Sequence, residues 1–124
     1  MARFYAAFDN RGSRTPSAAE LHALFADGAT IARVTAESAD LLTPEEFVAP
    51  RVAILTDGTL LDFHEWETEA ETCVFGHIAS RWSTYEKEGL LDGAPYRGGG
   101  RKFIHLQRGE DRWAITSILW QDRD

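Results

Sequence analysis

Cysteine is nearly absent: Cys73 is the only one in 124 residues. An intramolecular disulfide and a cysteine-rich zinc site are thereby excluded, and the expected role of Cys73 is that of a small buried thiol. No apolar run reaches the roughly 18 residues that a membrane-spanning helix needs. The opening stretch Met1-Ala2-Arg3-Phe4-Tyr5 carries neither a long apolar segment nor a small-residue cleavage motif, so a cytoplasmic location is expected. Basic charge is scarce too, with 13 Lys and Arg against 20 Asp and Glu for a net charge of -7. The basic residues stand singly, so the positive face that would neutralise nucleic-acid phosphates is missing. Repeats, low-complexity tracts and linkers are also missing. What is present is an ordinary globular composition, 44% hydrophobic and 27% charged, enough for one domain spanning residues 1–124 with a sizeable core.

Helical signals fill the first half. Phe4, Tyr5 and Phe8 form one face of a short opening helix, ended by the loop Asn10-Arg11-Gly12-Ser13. Ser17-Ala18-Ala19-Glu20 has the capping-box spacing, in which Ser accepts from the third helical amide and Glu reaches back. Leu21, Leu24 and Phe25 follow at helical spacing until Asp27-Gly28 stops the helix. Ala29 to Val34 reads as a short strand. Thr43-Pro44-Glu45-Glu46 repeats the start signal ahead of Phe47, Val48, Val52 and Leu55, and Pro50 is expected to kink or divide that helix.

From residue 60 the apolar period becomes two, giving four strands near 60–67, 72–85, 101–108 and 113–121. Gly109-Glu110-Asp111-Arg112 supplies a short turn between the last two. Residues 86–100, ending in Gly98-Gly99-Gly100, read as a long loop over one rim. Helices followed by an antiparallel sheet make an α+β fold.

Alternation sorts the strand side chains into two sets, which a one-residue slip would exchange. The set assigned to the helices holds Leu61, Phe63 and Glu65; Val74, Gly76, Ile78, Ser80 and Trp82; Ile104 and Leu106; and Trp113, Ile115, Ser117 and Leu119. The outer set holds His64 and Trp66; Cys73, Phe75, His77, Ala79 and Arg81; Phe103, His105 and Gln107; and Thr116, Ile118 and Trp120. So aromatic an outer face points to self-association as a homodimer, through His64, Trp66, Phe75, His77, Phe103, His105 and Trp120.

Three segments carry a family resemblance. Phe63-His64-Glu65-Trp66-Glu67, the run from Phe75 to Glu86, and the run from Arg112 to Asp122 resemble the nuclear transport factor 2-like superfamily in its SnoaL-like branch. Leu21 to Thr30 is similar to that family's passage from helix to strand. The resemblance implies a cone, in which a curved, mainly antiparallel sheet wraps around the N-terminal helices and a pocket opens at the wide end. It also implies dimers made through the outer sheet face. Enzymes and non-catalytic binders both occur on this fold.

The family's catalytic patterns do not carry over. The ketosteroid isomerase pattern requires an Asp base after the Ala-Thr-hydrophobe strand, where this chain has Arg33, and a helix Tyr where it has Phe4 beside Tyr5. Arg33, Arg81 and Glu65 supply the residue types of the epoxide-hydrolase group without its spacing, and the dehydratase histidines fall on the outer face. Glu65 is the candidate acid or base, because a carboxylate beside Phe63 facing the core is desolvated unless it finds a partner, for which Arg33 is a candidate. Tyr5, Phe8, Arg33, Ser80, Trp82 and Ser117 complete a candidate pocket for a small hydrophobic molecule. Gly98-Gly99-Gly100 lacks the ending of a phosphate loop, and the alternating Glu65, Glu67, Glu69 and Glu71 read as a solvated strand end. Neither a metal nor a cofactor is expected. An acid-base isomerase, cyclase or dehydratase and a non-catalytic binding or assembly module both fit this pattern.

Overall fold

The computed structural model describes residues 2–12 and 14–123, with side chains from Phe4 onward; Ser13 of the expected loop lies outside them. Among the described residues, three helices, α1 (Ala2–Ala6), α2 (Ala18–His22) and α3 (Pro44–Thr56), accompany six strands, β1 (Phe25–Val34), β2 (Ala39–Leu42), β3 (Leu60–Phe75), β4 (Ile78–Leu91), β5 (Ala94–Arg108) and β6 (Trp113–Asp122). The strands form one sheet in the order β2-β1-β6-β5-β4-β3, antiparallel except where β1 pairs with β6. The α+β class and the curved, mainly antiparallel sheet around helices are as the sequence predicts.

Local chemistry accounts for the helix starts. Ser17 Oγ accepts from the Glu20 amide, while Thr43 Oγ1 accepts from the Glu46 amide and Glu46 Oε1 accepts from the Thr43 amide. Pro50 does not divide α3, which runs as one helix over 13 residues with the proline inside it. Pro50 and Glu46 both lie on the exposed side, where water can satisfy the carbonyl that proline leaves without a donor. Asp27-Gly28 does not end a helix either; it lies inside β1, with Gly28 at a φ of 75° where the pairing with β6 shifts register.

The strands are longer than the period-two count suggests. Residues 60–67 lie in β3, but the expected strand 72–85 is two: 72–75 end β3, Gly76-His77 make a two-residue turn and 78–85 begin β4, so Gly76 and His77 lie on neither sheet face, and Cys73 beside the turn is exposed rather than buried. The expected loop over 86–100 is absent. Asp92-Gly93, with φ values of 51° and 82°, makes a two-residue turn of the type whose twist matches paired strands. Leu91 therefore pairs with Ala94, and β4 and β5 stay in register to Ile78 and Gln107. Gly99 and Gly100 lie buried mid-strand. A Cβ on Gly100 would stand 2.2 Å from the Gln121 carbonyl oxygen and 2.8 Å from the Tyr85 hydroxyl, so the position is one of close approach rather than of flexibility.

Register shifts set which side chains face inward. One near Asp62, a non-glycine residue at a φ of 50°, puts both Leu60 and Phe63 in the core. A second, between Glu67 and Glu69, leaves Glu65 and Glu67 inside and sends Glu69 and Glu71 to the outer face opposite Thr84 and Trp82. A third, between β5 and β6, lets both Ile115 and Ile118 point inward. The sequence-based assignment of Ile118 and Trp120 to the outer face is accordingly corrected: they are 2% and 6% exposed, whereas Leu119, assigned inward, is 48% exposed. The β4 set slips likewise, with Ser83 and Tyr85 buried and Ser80 exposed.

The core joins Phe4, Tyr5 and Phe8 to Leu21, Ile31, Phe47, Phe63, Ile104 and Ile118. Asn10 closes it. Its Nδ2 donates to the carbonyls of Leu55 (2.9 Å) and Leu60 (2.7 Å), and its Oδ1 accepts from the Phe63 amide (2.7 Å). One side chain thus ties the exit of α1 to the end of α3 and the start of β3. Asn10→Ala would leave those backbone groups without partners, and we expect a loss of about 2–3 kcal/mol in urea denaturation, with Asn10→Asp recovering only the bond to Phe63.

Candidate functional site

The inner face of the sheet and one side of α3 enclose a cavity of about 210 Å3. Helical spacing brings Phe47, Arg51, Ile54 and Leu55 from α3 to its wall. Cross-strand pairing builds the rest in rows. Arg33, Trp120, Lys102 and Ser83 are successive partners across β1, β6, β5 and β4; Asp122, Gly100, Tyr85 and Glu67 form the next row, followed by Lys87 and Glu65.

At the floor lies a buried ion pair. Lys102 is 5% exposed, and its Nζ stands 3.3 Å from Glu65 Oε2. Three rings surround the ammonium: Tyr85 at 3.6 Å from its centroid, Tyr5 at 4.7 Å and Phe4 at 5.4 Å. Burial drives the proton affinity of Lys102 down, Glu65 offsets this only in part, and the neighbouring charge of Lys87 adds to the depression.

Asp122 organises the side wall. It accepts from the Tyr85 hydroxyl and pairs with Lys87 (3.4 Å) and Arg33 (3.5 Å). Burial works against its charge, but those partners prevail and hold the carboxyl below its ordinary value. Burial and Asp122 together lift Tyr85 far above the usual phenol range, so it stays a hydroxyl donor. For Lys87, too, burial opposes the charge, yet Asp122 wins and the ammonium is strengthened.

Arg51 differs from these cations. Its guanidinium lies 4.1 Å from the Phe47 ring centroid and 5.2 Å from that of Trp120, and Nη1 donates to the Phe47 carbonyl (3.0 Å). No carboxylate among the described residues comes within ion-pair distance. Burial and then the nearby Arg33 lower its proton affinity, though a guanidinium stays charged.

Of the sequence-predicted site residues, the structure brings Glu65, Phe8 and Arg33 to the cavity wall. The partner of Glu65 is Lys102 rather than Arg33. Tyr5 sits behind the floor, in a buried chain where it bonds Ser83 (2.7 Å), which donates to Glu67 (2.7 Å), itself held by Arg81. Ser80, Trp82 and Ser117 do not join the cavity. Ser80 and Ser117 flank His105 as its partners on β4 and β6, and Trp82 lies opposite Phe103 with the Arg101 guanidinium 4.7 Å from its ring. Trp120, expected in a dimer face, lines the cavity instead.

Lys102, Lys87, Tyr85, Arg51 and Asp122 were not foreseen. Two signals point to three of them, Lys102, Tyr85 and Lys87. Lys102 is two residues before the inward Ile104, and the Asp92-Gly93 hairpin signal carries the strand alternation through Ser83, Tyr85 and Lys87.

The fold, as distinct from the site, matches solved structures. A conserved protein from Planctomyces limnophilus superposes with a TM-score of 0.80 at 14% identity, over 98% of this chain and 89% of that one. LinA gives 0.76 at 10%, over 99% and 80%. An NTF2-like protein from Cytophaga hutchinsonii gives 0.72 at 11%, over 98% and 91%. The fold is the nuclear transport factor 2-like cone. No family sequence model matches the chain, and no curated protein sequence does. No described helix is long and apolar enough to cross a membrane.

The floor pair is a sharp test of these energetics. Lys102→Met would strand a mostly buried carboxylate, and urea denaturation should register a loss of about 3–5 kcal/mol; the double variant Glu65→Leu with Lys102→Met should regain most of it.

Proposed function

We propose that the cavity binds a small, largely apolar molecule bearing an anionic group, and that Glu65 moves a proton on it. Arg51 carries the reading: a desolvated guanidinium on two aromatic faces, without a described carboxylate, is the arrangement that receives a carboxylate or similar anion. The lining as a whole supports it, with Arg33, Arg51, Lys87 and Lys102 set against Glu65 and Asp122 in a chain of net charge -7. A volume of about 210 Å3 suits a compact molecule, and Phe8, Phe47, Trp120 and Tyr96 offer it apolar walls. Glu65 is within the lining and paired with a lysine whose own proton is weakly held, so a proton can pass between them and a ligand. A candidate dehydratase of the NTF2-like family from Streptomyces avermitilis shares the fold, with a TM-score of 0.73 at 15% identity.

The paired state of Glu65 also suits a pocket that binds without turnover, and two measurements separate these readings. Phenylacetate should raise the melting temperature and its neutral analogue phenylacetamide should not; Arg51→Met should weaken phenylacetate binding roughly 10- to 100-fold in calorimetry. Deuterium uptake by phenylpyruvate, followed by proton NMR, should exceed the buffer rate with the native protein and fall to it in Glu65→Gln. Binding without uptake would leave a non-catalytic ligand site.

We also propose a second copy of the chain as the partner of the outer sheet face. Phe103, Leu119, Phe75 and Ile78 are 52%, 48%, 82% and 61% exposed there, and His64 stacks on Trp66 at 4.5 Å toward the other end of β3. Light scattering should give a dimer, and Phe103→Glu with Leu119→Glu should give a folded monomer.

A further inference from the structure

The chain holds eleven arginines but only two lysines, Lys87 and Lys102, and both line the one cavity described above. Elsewhere on the surface, positive charge is supplied by guanidinium groups. A guanidinium would serve ion pairing and anion binding at least as well as an ammonium. What lysine adds is a nitrogen that can lose its proton and act as a nucleophile, a change promoted by desolvation and by a second cation nearby. Lys102 has both: it is 5% exposed, caged by three rings, and shares its pocket with a Lys87 that Asp122 keeps charged.

Taking the cavity to be the small-molecule site argued above, we propose that Lys102 forms an imine with the carbonyl group of a compact oxo acid. Arg51 would receive the acid's carboxylate, and Glu65 would carry the protons. Lys102 first passes a proton from Nζ to Glu65 Oε2, 3.3 Å away. The freed lone pair of Nζ forms the N–C bond while the carbonyl π pair moves to oxygen. Glu65 protonates that oxygen and takes a proton from the nitrogen, giving a carbinolamine. Glu65 then protonates the hydroxyl, which leaves as water as the nitrogen lone pair closes the C=N bond. The net change is an ammonium and a carbonyl becoming a protonated imine and one water, with Glu65 returned to its carboxylate. The new cation keeps the rings of Tyr85, Tyr5 and Phe4 and the carboxylate that held the old one.

The test uses the native protein with phenylpyruvate and sodium cyanoborohydride, which reduces an imine to a stable secondary amine, followed by peptide mass mapping. Phenyllactate, which carries a hydroxyl in place of the carbonyl, is run in parallel, and both acids are scored for protection against thermal unfolding. The expected result is a reduced adduct on Lys102, none on Lys87, none with phenyllactate, and a rate roughly 100-fold lower in Glu65→Gln. Because Lys87 is the internal control, the result does not depend on Lys102→Met folding. If both acids protect and Lys102 stays unmodified, the imine is overturned while the anion site stands. If neither protects and nothing is trapped, both fall. Equal labelling of Lys87 and Lys102 would mean unselective amine chemistry and would also overturn the proposal.

Discussion

The cavity exists because the strands do not alternate strictly. Register shifts occur twice between β3 and β4, once between β5 and β6, and once between β1 and β6. Those within β3–β4 and β5–β6 advance a strand by one residue relative to its neighbour, and the one between β1 and β6 by three, and an odd slip exchanges a strand's two faces from that point on. Without the shift after Glu67, the carboxylates of Glu69 and Glu71 would follow Glu65 and Glu67 into the interior. Without the shift near Ile115, the sheet could bury Ile115 or Ile118 with Trp120, but not both. The same irregularities bend the strands, and bending lets a six-stranded sheet partly enclose α1 and α3 instead of lying flat beneath them.

An interior built this way has to accommodate charge. Lys102 and Glu65 give up hydration that neither recovers from the other alone, which is why the ammonium is also surrounded by the faces of Tyr85, Tyr5 and Phe4. Tyr85 has two tasks, since its ring faces Lys102 while its hydroxyl donates to Asp122. Asp122 in turn fixes Lys87 and meets Arg33. The polar groups therefore form one connected system, and no buried side-chain polar atom among the described residues lacks a partner. Arg51 stands apart from it on its aromatic bed, which leaves its positive charge directed at the cavity.

Much of the fold was legible because short-range rules determine it. The Ser17 cap and the capping box at Thr43 specify where helices begin, and the period-two runs after residue 60 specify a sheet. The resemblance in the segments around Phe63, His77 and Trp113 led to the right cone. The faces were only half legible. Phe63, Glu65, Ile104 and Ile115 were placed inward correctly, whereas Ser80, Trp82 and Trp120 were placed on the wrong side. A bulge has a weak sequence signature, because whether the chain gains by inserting one residue depends on what its neighbours bury. Missing the hairpin at Asp92-Gly93 had the larger effect on the site. Reading 86–100 as a loop removed Lys87 and Tyr96 from any strand face, and with them the row that ends at Glu65.

Gly100 has a consequence for how such a pocket can diversify. Because a Cβ there would collide with the main chain of β6 and with the Tyr85 hydroxyl, the spacing of β5, β6 and Tyr85 behind the Lys102–Glu65 floor is fixed by main chain. Arg33, Ile54 and Tyr96, by contrast, sit at the rim with solvent on one side. Ligand preference can drift by exchange of those rim residues while the Lys102–Glu65 pair stays in place. The architecture therefore separates an adaptable mouth from an invariant base, and a designer seeking new specificity would begin at the mouth.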